Sequence, residues 1–537
     1  MRRLALTLLF LSATAWGRDW RQPVGIPAPP FGVSEDAPAR PNPWSKAVAG
    51  WYYIADGNCT DDNNANGYPG HPRCTIPSPL AAGSVVEIHG TINTRQFVVA
   101  QGTPARPVWV RGEDYASRPK FTQGVGIAGS YVIVENLYSG PAGPDATGFG
   151  MGVPEGNDHI VIRDSELSGN LNRGGGIGLG SWSYKGTEWV DNVVIDHVLI
   201  HDLGNLASDD DSHCITLNGS VRNVWVTNST LHHCSGDAIQ MEAQRNRADK
   251  IHNIYYGRNV AYNNRQTGGW VKHATDVIFS QNVVHDIRNN PTGYLGTCLG
   301  AQYDHGNIWF LFNTLYNCDQ GIRRGSGDTG AGAGPVYIIG NLLYHIHAPA
   351  RVVNRKWDAG AIINTNDART YVVGNTIYDV DAGVNVPHGT VDVIDNIIAG
   401  RSNALNHELW YEQTPAAAVI SHNRFYVRSG AYRFAWGATD FTSLGAFRGA
   451  SAKCQKGCST GDPAFVSADR DFHLQSRSAA IGAGIESEVY AAFQARYGID
   501  IRRDIEGVRR GPNRAWDIGA YQSAAPAKAS APGPAQK

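Results

Sequence analysis

The sequence predicts an all-β chain wound as a single-stranded right-handed parallel β-helix, a solenoid with an internal asparagine ladder. Three observations predict it. An apolar–x–apolar phrase closed by Asn–x–apolar recurs at Asn259, Asn282, Asn313, Asn341, Asn375 and Asn396. Its spacing varies from 21 to 34 residues, as stacked coils with unequal loops require. The strands between (NVWVTN, NIYYGR, DVIFSQ, VYIIGN) are β-branched and aromatic, with few helical patterns. The repeat is also shorter than the roughly 40 residues of a propeller blade.

Taken in order, residues 1–17 read as a signal peptide: Arg2 and Arg3, an apolar run from Leu4 to Leu11, then small residues. Export to the periplasm or medium follows, with no later apolar stretch long enough to span a bilayer. Residues 18–50 are rich in Pro and polar residues and form an extended lead-in. Residues 51–523 carry the β-helix domain with an N-terminal cap and a C-terminal closing segment. The tail, 524–537, is Ala/Pro/Lys-rich and expected to be disordered. Eight cysteines in an exported chain suggest local pairs: Cys59–Cys74, Cys214–Cys234, Cys298–Cys318 and Cys454–Cys458. A formal net charge of −2 gives no argument for nucleic acid or a membrane surface as partner, and the chain is expected to be a monomer.

A stacked coil cannot bury its inward residues alone, so the apolar columns face inward and the asparagines bond along tight turns. They are read as scaffold. So is a second column holding His201, His232, His285, Tyr262, Tyr316, Tyr344 and Tyr378.

Residues 131–400 resemble the right-handed parallel β-helix proteins of bacterial polysaccharide lyases and related carbohydrate-active enzymes. PVWVRGED with RPKF resembles the opening of the chondroitinase B and alginate lyase type. GDPAFV, DFHLQSRSAAIGAG and DIGAYQ resemble a closing segment common in such proteins. The resemblance implies the fold more sharply than the reaction, because this fold hosts lyases, hydrolases, epimerases and adhesins.

The chemistry is expected on one strand per coil: GIGLG, CITLN, AIQME, GWVKH, CLGAQ, GIRRG and AIINT. Aligned, these put Thr216, Asn218, Gln240, Glu242, Lys272 or His273, Gln302, and Arg323 or Arg324 on one outward face. The run Asp209–Asp210–Asp211 and then His213 precede that strand, and Asp237 holds the matching place one coil on. Oxygen ligands at this density suit Ca²⁺, held by Asp209, Asp211, Asp237 and Glu242. A uronate polymer can be cleaved by removing the C5 proton and expelling the 4-linked oxygen, once the neighbouring carboxylate is neutralised. The resemblance to calcium-dependent pectate, alginate and chondroitin lyases implies Lys272 as base and Arg323 as acid or clamp. His213 and His273 are candidate acid–base groups, and a pair of Tyr303 with His305 could replace the lysine. Gln240, Gln302, Arg324, Trp270 and His305 are expected to bind substrate. Trp182, Tyr184, Trp270 and Tyr294 are candidates to stack on sugar rings. The leading expectation is an exported lyase acting on an acidic, uronate-containing polysaccharide. A glycoside hydrolase with Asp211 and Asp237 as acid and base is the alternative, and a non-catalytic carbohydrate-binding β-helix is a third reading.

Overall fold

The computed structural model describes residues 20–62, 65–113, 117–140, 149–169, 175–244, 251–288, 293–326, 333–511 and 515–523. The signal peptide and the tail expected from the sequence lie outside these residues. The chain forms a right-handed parallel β-helix with three strands per coil. One coil is Ile215–Asn218, Val221–Thr227 and Thr230–Cys234; the next is Ile239–Glu242, Ile251–Gly257 and Val260–Tyr262. Each strand pairs in parallel with its counterpart one coil away, as in Leu217↔Met241, Val226↔Tyr256 and Leu231↔Ala261. The long strand Val125–Glu135 bends so that its two halves join two of the three sheets.

The corner between the second and third strands carries the ladder. At each such turn one residue adopts left-handed φ, and the ladder residue follows it. Gly340 and Gly374, both at φ +66°, precede Asn341 and Asn375. The expensive φ falls to Gly there and to Asn228, Asp395 or His422 in other coils. Asn282 Nδ2 donates to Tyr256 O at 2.9 Å and to Asn313 Oδ1 at 2.9 Å, while its backbone N–H donates to the same Oδ1 at 3.0 Å. The pattern continues to a seventh member, Asn423, and begins at Ser229, whose N–H donates to Asn259 Oδ1. All seven asparagines are buried, so these bonds satisfy corner groups that water cannot reach.

The predicted ring column is also present. His201, His232, Tyr262, His285, Tyr316 and Tyr344 stack in succession with centroids 4.6–5.2 Å apart. Tyr344 and Tyr378 then both pack on Phe472. The four expected disulfides are formed, the two central ones each joining the start and end of a single coil.

The middle sheet is buried on both faces. In Val190–Asp196 the side chains of Val193, Val194 and Ile195 are all buried. Its outer face, with Trp109, Val161, Val194, Trp225 and Trp309, is covered by Ile26, Phe31 and Val33 of the lead-in and by Val489, Tyr490 and Phe493 of the helix Glu488–Tyr497. Polar ties pin this cover: Trp225 Nε1 donates to Pro27 O at 2.8 Å, and Arg163 donates to Gly32 O and Glu35 O. Among the described residues no such cover lies over the strand Trp270–Lys272, and there the side chains alternate between half-buried and buried. Among the described residues no helix is long and apolar enough to cross a membrane.

Candidate functional site

The outer face of that sheet holds a groove of about 680 Å³. Its floor comes from Trp270–Lys272, Thr297–Gln302 and Gln320–Arg324, and its far wall from Arg351, Val352, Arg355 and Asp358. Of the residues singled out in the sequence, Asp209, Asp211, Asp237, Trp270, Lys272, Tyr294, Gln302, Tyr303 and Arg323 line it.

Register decides which side chains share a row. Glu242, Lys272 and Gln302 stand side by side in one outward row. Gln240, Trp270, Gly300 and Arg323 form the next. Trp270 lies across Gly300: a Cβ there would meet the indole at 2.0 Å, so the ring needs a glycine beneath it. Lys272 Nζ donates to Glu242 Oε2 at 3.2 Å. Arg323 Nη1 donates to Trp357 O at 3.2 Å and pairs with Asp358 at 3.5 Å; Arg355 reaches the same Asp358 at 4.0 Å.

Several expected roles are corrected. Arg324 points into the helix, in the row of Val271 and Ala301, and is buried. Its guanidinium donates to His305 Nε2, to the carbonyls of Gly334, Ala368 and Arg369, and to Thr370 Oγ1. Burial, with Arg324 alongside, pulls the His305 pKa down to about 3, and neither residue lines the groove. His273 is buried too. It sits at φ +51° in the corner after Lys272 and stacks on Tyr303 at 5.1 Å. Gln240 is buried and spends its amide on Asp237 Oδ2 at 2.9 Å. Trp182 and Tyr184 lie on a separate loop, held through their carbonyls by Gln244.

The four carboxylates expected to hold Ca²⁺ each have other partners in the structure. Asp209 pairs with Arg265 at 3.1 Å and Glu242 with Lys272. Asp237 is buried and accepts from Thr267 Oγ1 at 2.6 Å and from Gln240. Asp211 accepts from Gln266 Nε2 at 2.7 Å. Among the described residues, the acid–histidine groups that do converge lie in other coils. No step is therefore routed through Ca²⁺.

At this end of the groove His213 lies between two acids. The Asp237 N–H donates to His213 Nδ1 at 2.8 Å, which leaves the proton on Nε2, 3.8 Å from Asp211 Oδ2. Desolvation, reinforced by the charge of Asp237, raises the Asp211 pKa above the usual carboxylate range against the pull of His213.

Sequence reasoning missed Arg265, Gln266, Thr267, Gln320, Arg351 and Arg355. Arg265 is buried and organises the acidic end: it donates to Ser235 O and Asp210 O and pairs with Asp209 and, at 3.7 Å, with Asp211. Thr267 and Gln320 were legible, since His213, Asp237, Thr267, Thr297 and Gln320 form a polar column just before the groove strands. That column is bonded through Thr267–Asp237 and Thr297–Gln320. Arg351 and Arg355 sit in an irregular loop whose fold-back no periodicity reports.

No known protein family matches the chain, and none of the curated proteins matches it. Solved structures similar to it include the GH136 lacto-N-biosidase from Eubacterium ramulus (13% identity, 70% of this chain and 67% of that one, TM-score 0.43). Others are XylC in complex with xylose (11%, 88% and 98%, 0.46) and pectate lyase Pel9A (12%, 88% and 96%, 0.38). At these scores the likeness says nothing about a reaction.

Proposed function

We propose that the groove binds an acidic, uronate-containing glycan and cleaves it by β-elimination. The observation that carries this is the polarity of the groove along the helix axis. Asp209, Asp211 and Asp237 gather on the earlier coils around Arg265. Arg323, Arg351 and Arg355 gather on the later ones with Asp358 among them. Lys272 lies on the floor between the two ends.

A uronate carboxylate drawn to the arginine end is neutralised there, which acidifies its C5–H. Lys272 first passes a proton to its partner Glu242, and the free amine so formed takes the C5 proton. The electron pair of the C5–H bond forms the C4=C5 double bond as the C4–O bond breaks. The departing oxygen takes a proton from the Tyr303 hydroxyl, whose ring also lines the groove. Tyr303 holds φ +64°, an unusual conformation for a bulky residue, and His273 backs its ring. Trp270 offers a flat apolar surface to the sugar.

A second reading is favoured by one observation. The raised pKa of Asp211, beside Asp237, suits the general acid of a glycoside hydrolase. Incubation with a panel of uronate polymers separates the two. Elimination leaves an unsaturated, ultraviolet-absorbing end with every new reducing end. Reducing ends without that absorbance overturn elimination and favour hydrolysis; binding without cleavage on every glycan overturns both. A chelator arm reads out any Ca²⁺ requirement.

A further inference from the structure

Among the described residues, two clusters of nitrogen and oxygen ligands converge away from the groove: Glu87, His89 and Glu113, and His345, His347 and Asp379. They differ in what already neutralises them. Glu87 is paired with Arg40 at 3.2 Å and Arg111 at 3.4 Å, so two guanidinium groups hold the place a cation would take. In the second cluster Arg428 approaches Asp379 at Oδ1, 3.7 Å away, and both histidines reach Oδ2.

His345 and Asp379 occupy matching corners of successive coils, between the pairs Tyr344↔Tyr378 and Ile346↔Val380. Both have left-handed φ, +53° and +50°. That corner accounts for their residue types, because Asn, Asp and His tolerate it; Asp202, His233, Asn263, Asp286 and Asn317 show the same conformation in earlier coils. It does not account for His347 or Asp381. Asp381 is buried. Its Oδ2 accepts the Ala348 N–H at 2.7 Å; its Oδ1 accepts the Ser402 hydroxyl at 3.1 Å and lies 3.1 Å from His347 Nδ1. A carboxylate held this way is an acceptor, so His347 carries a proton on Nδ1. The lone pair of Nε2 then faces another acceptor, Asp379 Oδ2, at 3.4 Å. His345 Nδ1 reaches that same oxygen at 2.6 Å. A second ring proton or a metal cation fits between these atoms.

We propose that His345, His347 and Asp379 bind a divalent first-row transition metal, with Zn²⁺ best matched to two imidazoles and one carboxylate. Asp381 is the positioning residue: its bond to Nδ1 fixes the His347 tautomer and ring, as carboxylates behind zinc-bound histidines do. The charges of Asp379 and Asp381 balance the ion. A water completes a tetrahedral shell. The ion joins two coils at the place where Arg428 links Asp379 to Asp469 of the closing segment, at 3.5 Å.

The test uses the untagged full chain, stripped with chelator, desalted, and titrated with Co²⁺ while visible d–d absorption is followed; Zn²⁺ then competes. One equivalent per chain with tetrahedral-type bands is expected. His347→Ala and Asp379→Asn are expected to abolish the bands. Asp381→Asn is expected to weaken binding by about 10–100-fold, and Glu87→Gln to change nothing. Circular dichroism confirms that each variant is folded, and the asparagine variants carry the test if His347→Ala fails to fold. Absence of Co²⁺ bands, or one-equivalent binding that survives both His347→Ala and Asp379→Asn, overturns the site. The readout is binding, so it stands or falls apart from the groove's reaction.

Discussion

The asparagine corner and the groove floor are built by the same stacking, yet their columns differ. Along the corner the residue type repeats: Asn259, Asn282, Asn313, Asn341, Asn375, Asn396 and Asn423 each bond to the next. Along the floor it changes at every step, from Asn218 to Glu242, Lys272 and Gln302. A repeated side chain satisfies the same backbone groups in every coil, which is a scaffold's task. A row that changes at every coil places unlike groups at strand spacing, about 4.8 Å apart, which is a binding surface's task. The lesson carries to Arg323 and Arg324, neighbours in sequence. One faces the groove and its Asp358; the other is locked inside by four residues' oxygens and His305.

Predictions can break this contrast. Lys272→Ala should lower activity on a uronate polymer by about 10²–10⁴-fold, the range of a lost acid–base group. Because the pair with Glu242 is partly exposed, its thermal midpoint should barely move. A variant with full activity sinks the base assignment.

Asn313→Ala should do the reverse. It removes the acceptor for two donors of Asn282 and the donor to Phe279 O and Asn341 Oδ1, all buried. A loss of about 3 kcal/mol in denaturant unfolding is expected, with the activity of the folded fraction kept. A loss under about 1 kcal/mol would show that the ladder is not scaffold.

Asp395 sharpens the contrast through pH. Burial pushes its carboxyl up to about 7, against the pull of the Ile485 N–H and of Arg510. A carboxyl whose folded pKa is raised favours the protonated native state, so its contribution is complete below the unfolded value near 4 and fades as pH climbs to about 7. Between pH 5 and 8 the wild type should lose about 2–3 kcal/mol that Asp395→Asn does not lose. Parallel pH profiles for the two proteins would refute this. Asparagine suits the site, since Asp395 stands at φ +59° in the ladder corner.

Arg323→Gln is expected to have the smallest effect, raising KM about tenfold with a smaller fall in kcat, since Arg351 and Arg355 still neutralise the substrate carboxylate. An equal fall in kcat would move Arg323 from holding substrate to stabilising the transition state.

Much of the fold could be read from the chain because stacking writes one period into strands, corners and cysteines alike. The middle strands are legible in another way. Runs such as NVVID and IWFLF, apolar on successive residues, belong to strands buried on both faces, and the lead-in and closing helix are what bury them. GWVKH alternates, and that alternation marks the open face.

By itself the sequence determined the parallel β-helix, the ladder, the ring column and the strands on which Lys272 and Arg323 stand, and it suggested the cysteine pairing. These depend on periodicity and on near neighbours in a repeat. Only the tertiary structure decided that Arg324 and His305 face inward, that Arg265 gathers the acidic end, and that the expected calcium ligands are spent on other partners. It alone brought Arg351 and Arg355 to the groove, and His347 and Asp381 to His345 and Asp379. A slip of one residue reverses the face of a strand side chain, and loops between coils follow no period. Their meeting points are set by packing that no local pattern records.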